Sequence, residues 1–343
     1  MILSIIVPAY NVERFITRCL RSLSEHANGS DVEIIVVDDA STDQSLQIVE
    51  TLADSIDIRI VRHQENLGLG AARNTGLEAA SGRYVWFFDG DDFASSSAVA
   101  RIVQVLSEKS NDILVIDFSC ADESGQSVDW IFCPFRPCHG ATLSGPQFFT
   151  KYFATTYAWI YIVRRELLVQ HNLRFQPRIN MQDAELLPQI MVHAQSILVS
   201  GIDAYVYVKR AGSYINSTHS GTRERYFQSV LEVYRRLKNF QTDIVDEQML
   251  QGLAAKISSM RRILLMAYVY DRLDAASLRN RLALLKDEGV YPFKRLPNET
   301  IKEFLIRSSV NLFPSIFPLP YRWVRETVRG LRAGSAAKVP RLP

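Results

Sequence analysis

Residues 85–93 read VWFFDGDDF, an apolar run that halts abruptly in three carboxylates, Asp89, Asp91 and Asp92. An apolar strand that ends in clustered acids is how an open α/β sheet delivers charge to the carboxyl edge of its strands, where ligands of such sheets bind. Mutually repelling carboxylates are costly to gather unless a cation lies between them. Taken alone, DGDD also fits a solvated acidic turn. The rest of the N-terminal half decides between the two.

That half opens with residues 2–7, ILSIIV, which meet Pro8, Ala9, Tyr10 and Asn11. Proline cannot continue a central ladder, so the strand is expected to end there, with Tyr10 and Asn11 at its carboxyl edge. Phe15, Ile16, Cys19, Leu20 and Leu23 follow at helical spacing. A second strand over 33–37 ends in DDASTD, and Ser41, Thr42 and Asp43 are suited to cap the next helix. A third strand over 58–61 leads to NLGLG at 66–70 and a helix from about Ala71; the fourth strand ends at Asp89. Strands and helices alternating at these lengths predict a mostly parallel, doubly wound α/β sheet with right-handed crossovers.

VPAYN, VDDASTD, NLGLGAARNTGL and FFDGDD, in this order and spacing, resemble the nucleotide-sugar half of family 2 glycosyltransferases of the GT-A fold, of the type that builds bacterial surface polysaccharide. The likeness is strong over residues 1–120 and thins towards residue 220. The resemblance places Pro8, Ala9, Tyr10, Asn11, Asn66 and Gly70 against the nucleotide-sugar, with Asp89, Gly90 and Asp91 beside them. One departure is Ala40, where the family usually has glycine; a methyl there is expected only to stiffen the turn.

The chemistry of nucleotide-sugar transfer explains the acids. A departing nucleoside diphosphate gathers negative charge, and a divalent cation neutralises it best. Oxygen ligands suit Mg²⁺ or Mn²⁺, so Asp91 and Asp92 are the metal candidates, with Asp89 or Asp91 also able to reach a ribose hydroxyl. Asp39, at the end of the second strand, can accept from a base N–H. By resemblance it reads the uracil imide while Tyr10 stacks on the ring; the other reading is a helix-capping carboxylate. Gly68 and Gly70 invite a dinucleotide-binding assignment and so a nicotinamide oxidoreductase, but the third glycine of that fingerprint falls at Arg73 and the loop follows the third strand. Arg73 is either a side chain near phosphate or an ion-pair partner.

Residues 121–220 are expected to build the acceptor half of a 1–220 domain. Of the aromatics Tyr152, Phe153, Tyr157, Trp159 and Tyr161, most suit a core, with Trp159 the one expected to meet a sugar face. Where the family carries an acidic pair whose second member is the general base, this chain reads Gln182-Asp183, so the resemblance makes Asp183 the base. Loss of the first acid keeps a catalytically silent nucleotide-binding scaffold in view. Glu185 is the fallback, although an offset of two on a helix turns it to another face. Asp183 as a helix N-cap is the competing reading. The strand over 205–210 carries Lys209 and Arg210, followed by Ser213. By resemblance these meet the donor diphosphate; an exposed basic edge strand is the alternative.

Four cysteines are few, and a C-x4-C pair, Cys133 and Cys138, with His139 beside it, lacks the second ligand pair of a zinc site. Reduced thiols, the lack of a basic region before the first apolar run and no apolar stretch of about 18 residues point to a cytoplasmic chain. Residues 221–300 carry helical periodicity and read as an extension. Residues 301–343 hold eight Lys and Arg against two acids, a surplus of six that leaves residues 1–300 at −4 in a chain of +2. Aromatics interleaved with this charge predict peripheral contact with the inner face of an anionic membrane, the other reading being helices packed on the domain. No basic face accompanies the acidic pocket, so nucleic acid is not an expected partner. The sequence therefore predicts an inverting, Mn²⁺- or Mg²⁺-dependent transferase with a nucleotide-sugar donor and a glycan or lipid-linked acceptor.

Overall fold

The computed structural model describes residues 1–25, 31–210, 220–271 and 273–314. The chain divides into two compact units, residues 1–216 with 243–253 and residues 217–242 with 254–343. Among the described residues no helix is long and apolar enough to cross a membrane.

The first unit is built on one sheet. Its N-terminal half supplies β1 (Leu3–Ala9), α1 (Ile16–Ser24), β2 (Val32–Asp38), α2 (Ser45–Ala53), β3 (Ile58–Arg62), α3 (Leu69–Ala79) and β4 (Tyr84–Phe87). All four strands run parallel. Every residue of β1 and β4 is buried, because helices cover both faces, and this is why their sequences are near-continuous apolar runs, broken in β1 only by Ser4, rather than alternating ones.

There follow β5 (Phe93–Ala94), α4 (Ala98–Glu108), β6 (Ile113–Asp122), β7 (Thr142–Leu143), α5 (Gly145–Tyr152), β8 (Tyr161–Arg164), α6 (Arg165–Gln170), α7 (Gln182–His193) and β9 (Ile197–Lys209). The strand order is β3-β2-β1-β4-β8-β6-β9-β5, with β7 also on β9. Here the sheet is mixed: β8 lies antiparallel to β4 and β6, while β6 and β9 are parallel. The expected parallel arrangement thus holds in the N-terminal half. Residues 123–160 bring the chain from β6 to β8 through β7 and α5, and because the two strands are antiparallel the right-handed rule for parallel crossovers does not apply to that pair.

Pro8 does not end β1. It pairs in register with Val37 of β2, and β4 has already stopped opposite Ile6. The missing N–H is tolerated because the ladder is one-sided there. The carbonyl of Pro8 instead lies where a side chain at Gly90 would approach within 3.0 Å, so the absence of a Cβ lets the acidic loop close against β1.

The turn after β2 departs from expectation in two ways. Helix α2 begins at Ser45, later than expected, and its N-terminus is tied to the chain after β1: Asn11 Oδ1 accepts from the Thr42 N–H at 2.8 Å, and the Asp43 carboxylate accepts both from the Ser45 N–H of the helix at 2.9 Å and from the Glu13 N–H at 3.1 Å. Ala40 adopts φ 58°, in the left-handed region. A non-glycine residue there costs about 1–2 kcal/mol, so the methyl strains the turn rather than merely stiffening it. Restoring glycine also frees the unfolded chain, which offsets about 0.4–1 kcal/mol of the relief. Ala40→Gly is expected to raise the thermal midpoint by about 1–4 °C, read by calorimetry.

In the second unit, α8 (Ser220–Gln241), α9 (Glu247–Tyr270), α10 (Ala275–Asp287) and α11 (Ile301–Leu312) surround a core that includes Phe227, Val230, Leu231, Tyr234, Met260 and Leu264; the first residues of α9 belong to the first unit. Arg281 is buried there and paired with Asp271 at 2.8 Å and Glu224 at 2.9 Å, so its charge is met from two elements. Residues 301–312 are not a detached tail. Ile306 and Val310 are buried, and Asn311 bonds both backbone polar groups of Phe293 at 2.9 Å.

Candidate active site

The four parallel strands deliver their last residues to one edge. After β4 the chain turns tightly, with the Asp92 N–H donating to the Asp89 carbonyl at 3.1 Å. One carboxylate oxygen each from Asp89, Asp91 and Asp92 lies within 4.8 Å of the others, which among the described residues is the one group of three or more such ligands. Hard oxygen donors at this spacing fit Mg²⁺ or Mn²⁺.

The three acids differ in surroundings. Arg73 is buried and donates to Asp89 at 2.7 Å, with its guanidinium 5.1 Å from the Phe175 ring centre. Of the two readings of Arg73, the ion pair is the one observed: it orients Asp89 from beneath the surface. Asp91 meets the guanidinium of Arg210, which also lies 5.3 Å from the Phe15 ring centre. Asp92, a metal candidate from the sequence, is buried, at 2 % exposure. It accepts from Tyr205 Oη and, at 2.7 Å, from the Val208 N–H of β9. Burial, and then repulsion from Asp89, push its carboxyl up to about 8. With both oxygens engaged in the interior, Asp92 is built as a strut between the acidic loop and β9.

A second cluster lies at the end of β2. The Asp39 N–H donates to the Ala9 carbonyl at 2.9 Å, and Asn66 Nδ2 reaches the Asp39 carbonyl at 3.3 Å. The Asp39 carboxylate accepts from the Leu67 and Gly68 N–H groups at 2.9 and 2.8 Å, and pairs with His63 Nδ1 at 2.7 Å. It does not cap α2. Three of its roughly four acceptor directions are filled, and the residue is 3 % exposed. Tyr10 stands beside it, 46 % exposed. His63, whose Nε2 meets Thr75 at 2.9 Å, escaped the sequence reading. Its signal was its place, one residue beyond β3 at the same carboxyl edge.

Gly70 positions the third group. A Cβ there would come within 2.6 Å of the Gln176 carbonyl and 2.1 Å of Gln182 Oε1, so glycine allows α3 to abut the start of α7. The N-cap of α7 is Met181 in the left-handed region, at φ 59°, so Asp183 is not the N-cap but lies inside the first turn. Its Oδ1 accepts from the Ala184 N–H at 2.9 Å, and the positive end of the helix favours its charge. Gln182 is buried, and its Oε1 has no hydrogen-bond partner among the described residues. Glu185 is 4 % exposed and accepts from Gln189 at 2.7 Å, which withdraws it from the surface.

Aromatic side chains join these groups. Trp159, expected against a sugar, is 4 % exposed and stacks on Tyr205 at 4.1 Å and Tyr157 at 5.1 Å; burial makes it core. Burial, followed by the charge of Asp183, raises the Tyr157 phenol, and burial followed by Asp92 and Asp89 raises that of Tyr207. The exposed end of this array is Trp130, 5.3 Å from Tyr207, with the Lys209 ammonium 5.1 Å from its ring centre. Lys209 is exposed at the end of β9, where it pairs with Asp122 of β6, while β5 meets β9 only at Tyr205 and Val206 and β7 only at Ile197 and Leu198. Ser213 lies outside the described residues.

Cys133 and His139 both meet Asp117, while Cys138 takes other partners. His139 meets Asp117 at 2.8 Å, and Cys138 Sγ lies 2.9 Å from both Lys151 Nζ and Tyr152 Oη. Hydrogen bonding from Lys151, then from Tyr152, lowers the Cys138 thiol, whereas burial raises Cys19, Cys120 and Cys133. Thiolate is the nucleophile. With iodoacetamide, Cys138 is expected to be alkylated first of the four, at a rate that falls off only below the ordinary thiol range of about 8.5, as peptide mass mapping across pH will show.

The model of the family described as Glycosyl transferase family 2 matches residues 4–157. Over 235 residues the chain is 33% identical to the uncharacterized glycosyltransferase EpsJ of Bacillus subtilis, covering 66% of this chain and 67% of that one. It is 29% identical over 229 residues to the poly(ribitol-phosphate) beta-N-acetylglucosaminyltransferase TarS of Staphylococcus aureus, covering 65% of this chain and 38% of TarS. Among solved structures, S. aureus TarS 1–349 in complex with UDP-GlcNAc superposes with a TM-score of 0.62 at 20% identity, over 91% of this chain and 92% of that one. The mannosyltransferase PcManGT from Pyrobaculum calidifontis, in complex with GDP-Man and Mn²⁺, gives 0.52 at 17% identity, over 91% and 87%. These likenesses establish the GT-A type of fold, and the match of motif, relative and architecture establishes that the chain belongs to glycosyl transferase family 2.

Proposed function

We propose that the protein transfers a sugar from a UDP-sugar to a hydroxyl of a glycan or lipid-linked acceptor, with inversion at the anomeric carbon and with a divalent cation. The observation that carries this reading is the pair Asp89 and Asp91 at the carboxyl edge, flanked by Arg73 and Arg210, with Asp92 buried behind them. Asp91 and Asp89 would hold the cation, with Asp92 fixing the loop; when bound, the cation neutralises the diphosphate as it leaves. Tyr10 stacks on the base, and the remaining acceptor direction of Asp39 takes its N–H. Asp183 accepts the proton of the attacking hydroxyl. The acceptor oxygen bonds to the anomeric carbon on the face opposite the breaking bond to the β-phosphate, and the electron pair leaves with UDP. Lys209 and Arg210 follow the departing charge, and the ring of Trp130 offers a platform to an acceptor sugar. The acceptor is met at the inner face of an anionic membrane, to which the chain is peripheral.

The test is transfer from UDP-GlcNAc and other UDP-sugars to polysaccharide-repeat acceptors, with Mn²⁺ and with EDTA. Sugar transfer with an inverted linkage, lost in EDTA, is expected. UDP binding with no transfer to any acceptor would favour a silent scaffold, consistent with glutamine at 182. Transfer undiminished in EDTA would remove the cation.

A further inference from the structure

Helix α11 carries two apolar faces. Ile306 and Val310 are buried. On the other side Ile301, Phe304, Leu305 and Leu312 are exposed by 81, 48, 57 and 73 %, and Phe313 just beyond by 58 %. At 100° per residue, positions 301, 304, 305 and 312 form one stripe about 100° wide, the pattern of a helix that buries that side in something. These five make up five of the twelve large apolar side chains exposed among the described residues, so the exposure is concentrated, not scattered.

What covers the stripe is decided by charge. The sequence that continues from it, residues 315–343, contains six Lys and Arg against one acid, together with Phe317, Tyr321 and Trp323. On the helix itself Lys302 is exposed beside the stripe. A second copy of the chain docked on this face about a two-fold axis would bring two such cationic segments together, which opposes the contact. An anionic lipid surface takes both features at once: the apolar side chains enter the boundary between headgroups and acyl chains, and the cations remain among the headgroups.

We propose that α11 is an interfacial helix that lays Ile301, Phe304, Leu305, Leu312 and Phe313 into the headgroup boundary of an anionic membrane. This rests on the peripheral-membrane part of the proposed function and is independent of the donor. The test uses the full chain and sedimentation with vesicles of phosphatidylglycerol and phosphatidylcholine, against phosphatidylcholine alone. Binding to the anionic vesicles, weakened by salt, is expected, and the double variant Phe304→Glu, Leu305→Glu should lose about tenfold or more of it. Both positions face solvent, so circular dichroism and transfer to a short soluble acceptor should be unchanged. Binding of the variant at the wild-type level overturns the proposal, as does equal binding to uncharged vesicles. A wild-type dimer that the variant abolishes, with no vesicle binding, assigns the face to a second copy. No vesicle binding together with a lower melting temperature in the variant assigns it to the chain's own C-terminal segment. Vesicle binding through α11 without transfer from any UDP-sugar refutes the donor reading alone; transfer to a soluble acceptor without vesicle binding refutes this one alone.

Discussion

Asp183→Asn is expected to lower sugar transfer by roughly two to four orders of magnitude while UDP-sugar affinity stays within about twofold. The change is nearly isosteric, and an amide cannot take the proton of the acceptor hydroxyl. Its side chain can still accept from the Ala184 N–H, so the first turn of α7 should persist. Pre-steady-state turnover and equilibrium binding, measured on the same preparation, separate the two effects. Near-normal turnover would move the base elsewhere. Glu185 is a poor replacement, because it is buried and already bound to Gln189.

Asp91 and Asp92 should behave differently despite being neighbours. Asp91→Asn is expected to leave the fold unchanged and to weaken Mn²⁺-supported UDP binding beyond the roughly 10- to 100-fold that loss of an outer-sphere partner costs. Asp92→Ala instead strands the Tyr205 hydroxyl and the Val208 N–H in the interior, at about 1–3 kcal/mol for each unpaired group. Its signature is a lowered thermal midpoint in the absence of any nucleotide or metal. Titration calorimetry with and without Mn²⁺, beside thermal melts, reads both variants. Unaltered UDP affinity of Asp91→Asn in Mn²⁺ would discard the ligand assignment, and a wild-type melt for Asp92→Ala would discard the strut.

The parts of this site that could be read from sequence are those with a local cause. β2 and β4 are buried runs, so their ends, and the acids placed there, were visible as breaks in hydrophobicity. What escaped depends on partners remote in the chain. Asp92 is a strut only because Tyr205 lies opposite, 113 residues away. Trp159 is core because Tyr205 and Tyr157 sandwich it, and residue type alone does not tell a stacked indole from an exposed one. Arg73 left two readings open until Asp89 and Phe175 were seen to enclose it. Pro8 misled for a different reason: the rule against proline in a ladder presumes neighbours on both sides, and β4 is too short to supply one. Ala40 misled because its left-handed backbone is imposed from outside, where Asn11 ties the end of β1 to residues just past the turn.

The bond from Asp92 to β9 bears on how relatives of this chain could exchange donor preference. A recombination point near residue 120 looks natural, since it lies at the end of β6 and follows the four parallel strands and the acidic loop. Such a cut would hand the acidic loop to a foreign β9, with no assurance of a tyrosine at 205 or of a free N–H at 208. Arg210 sits two residues beyond that anchor, so its reach to Asp91 would be inherited from the wrong parent. The smallest cassette that can be transplanted whole therefore runs through residue 210, and chimeras cut earlier are expected to express as folded proteins only when the donor of the second half supplies a matching anchor.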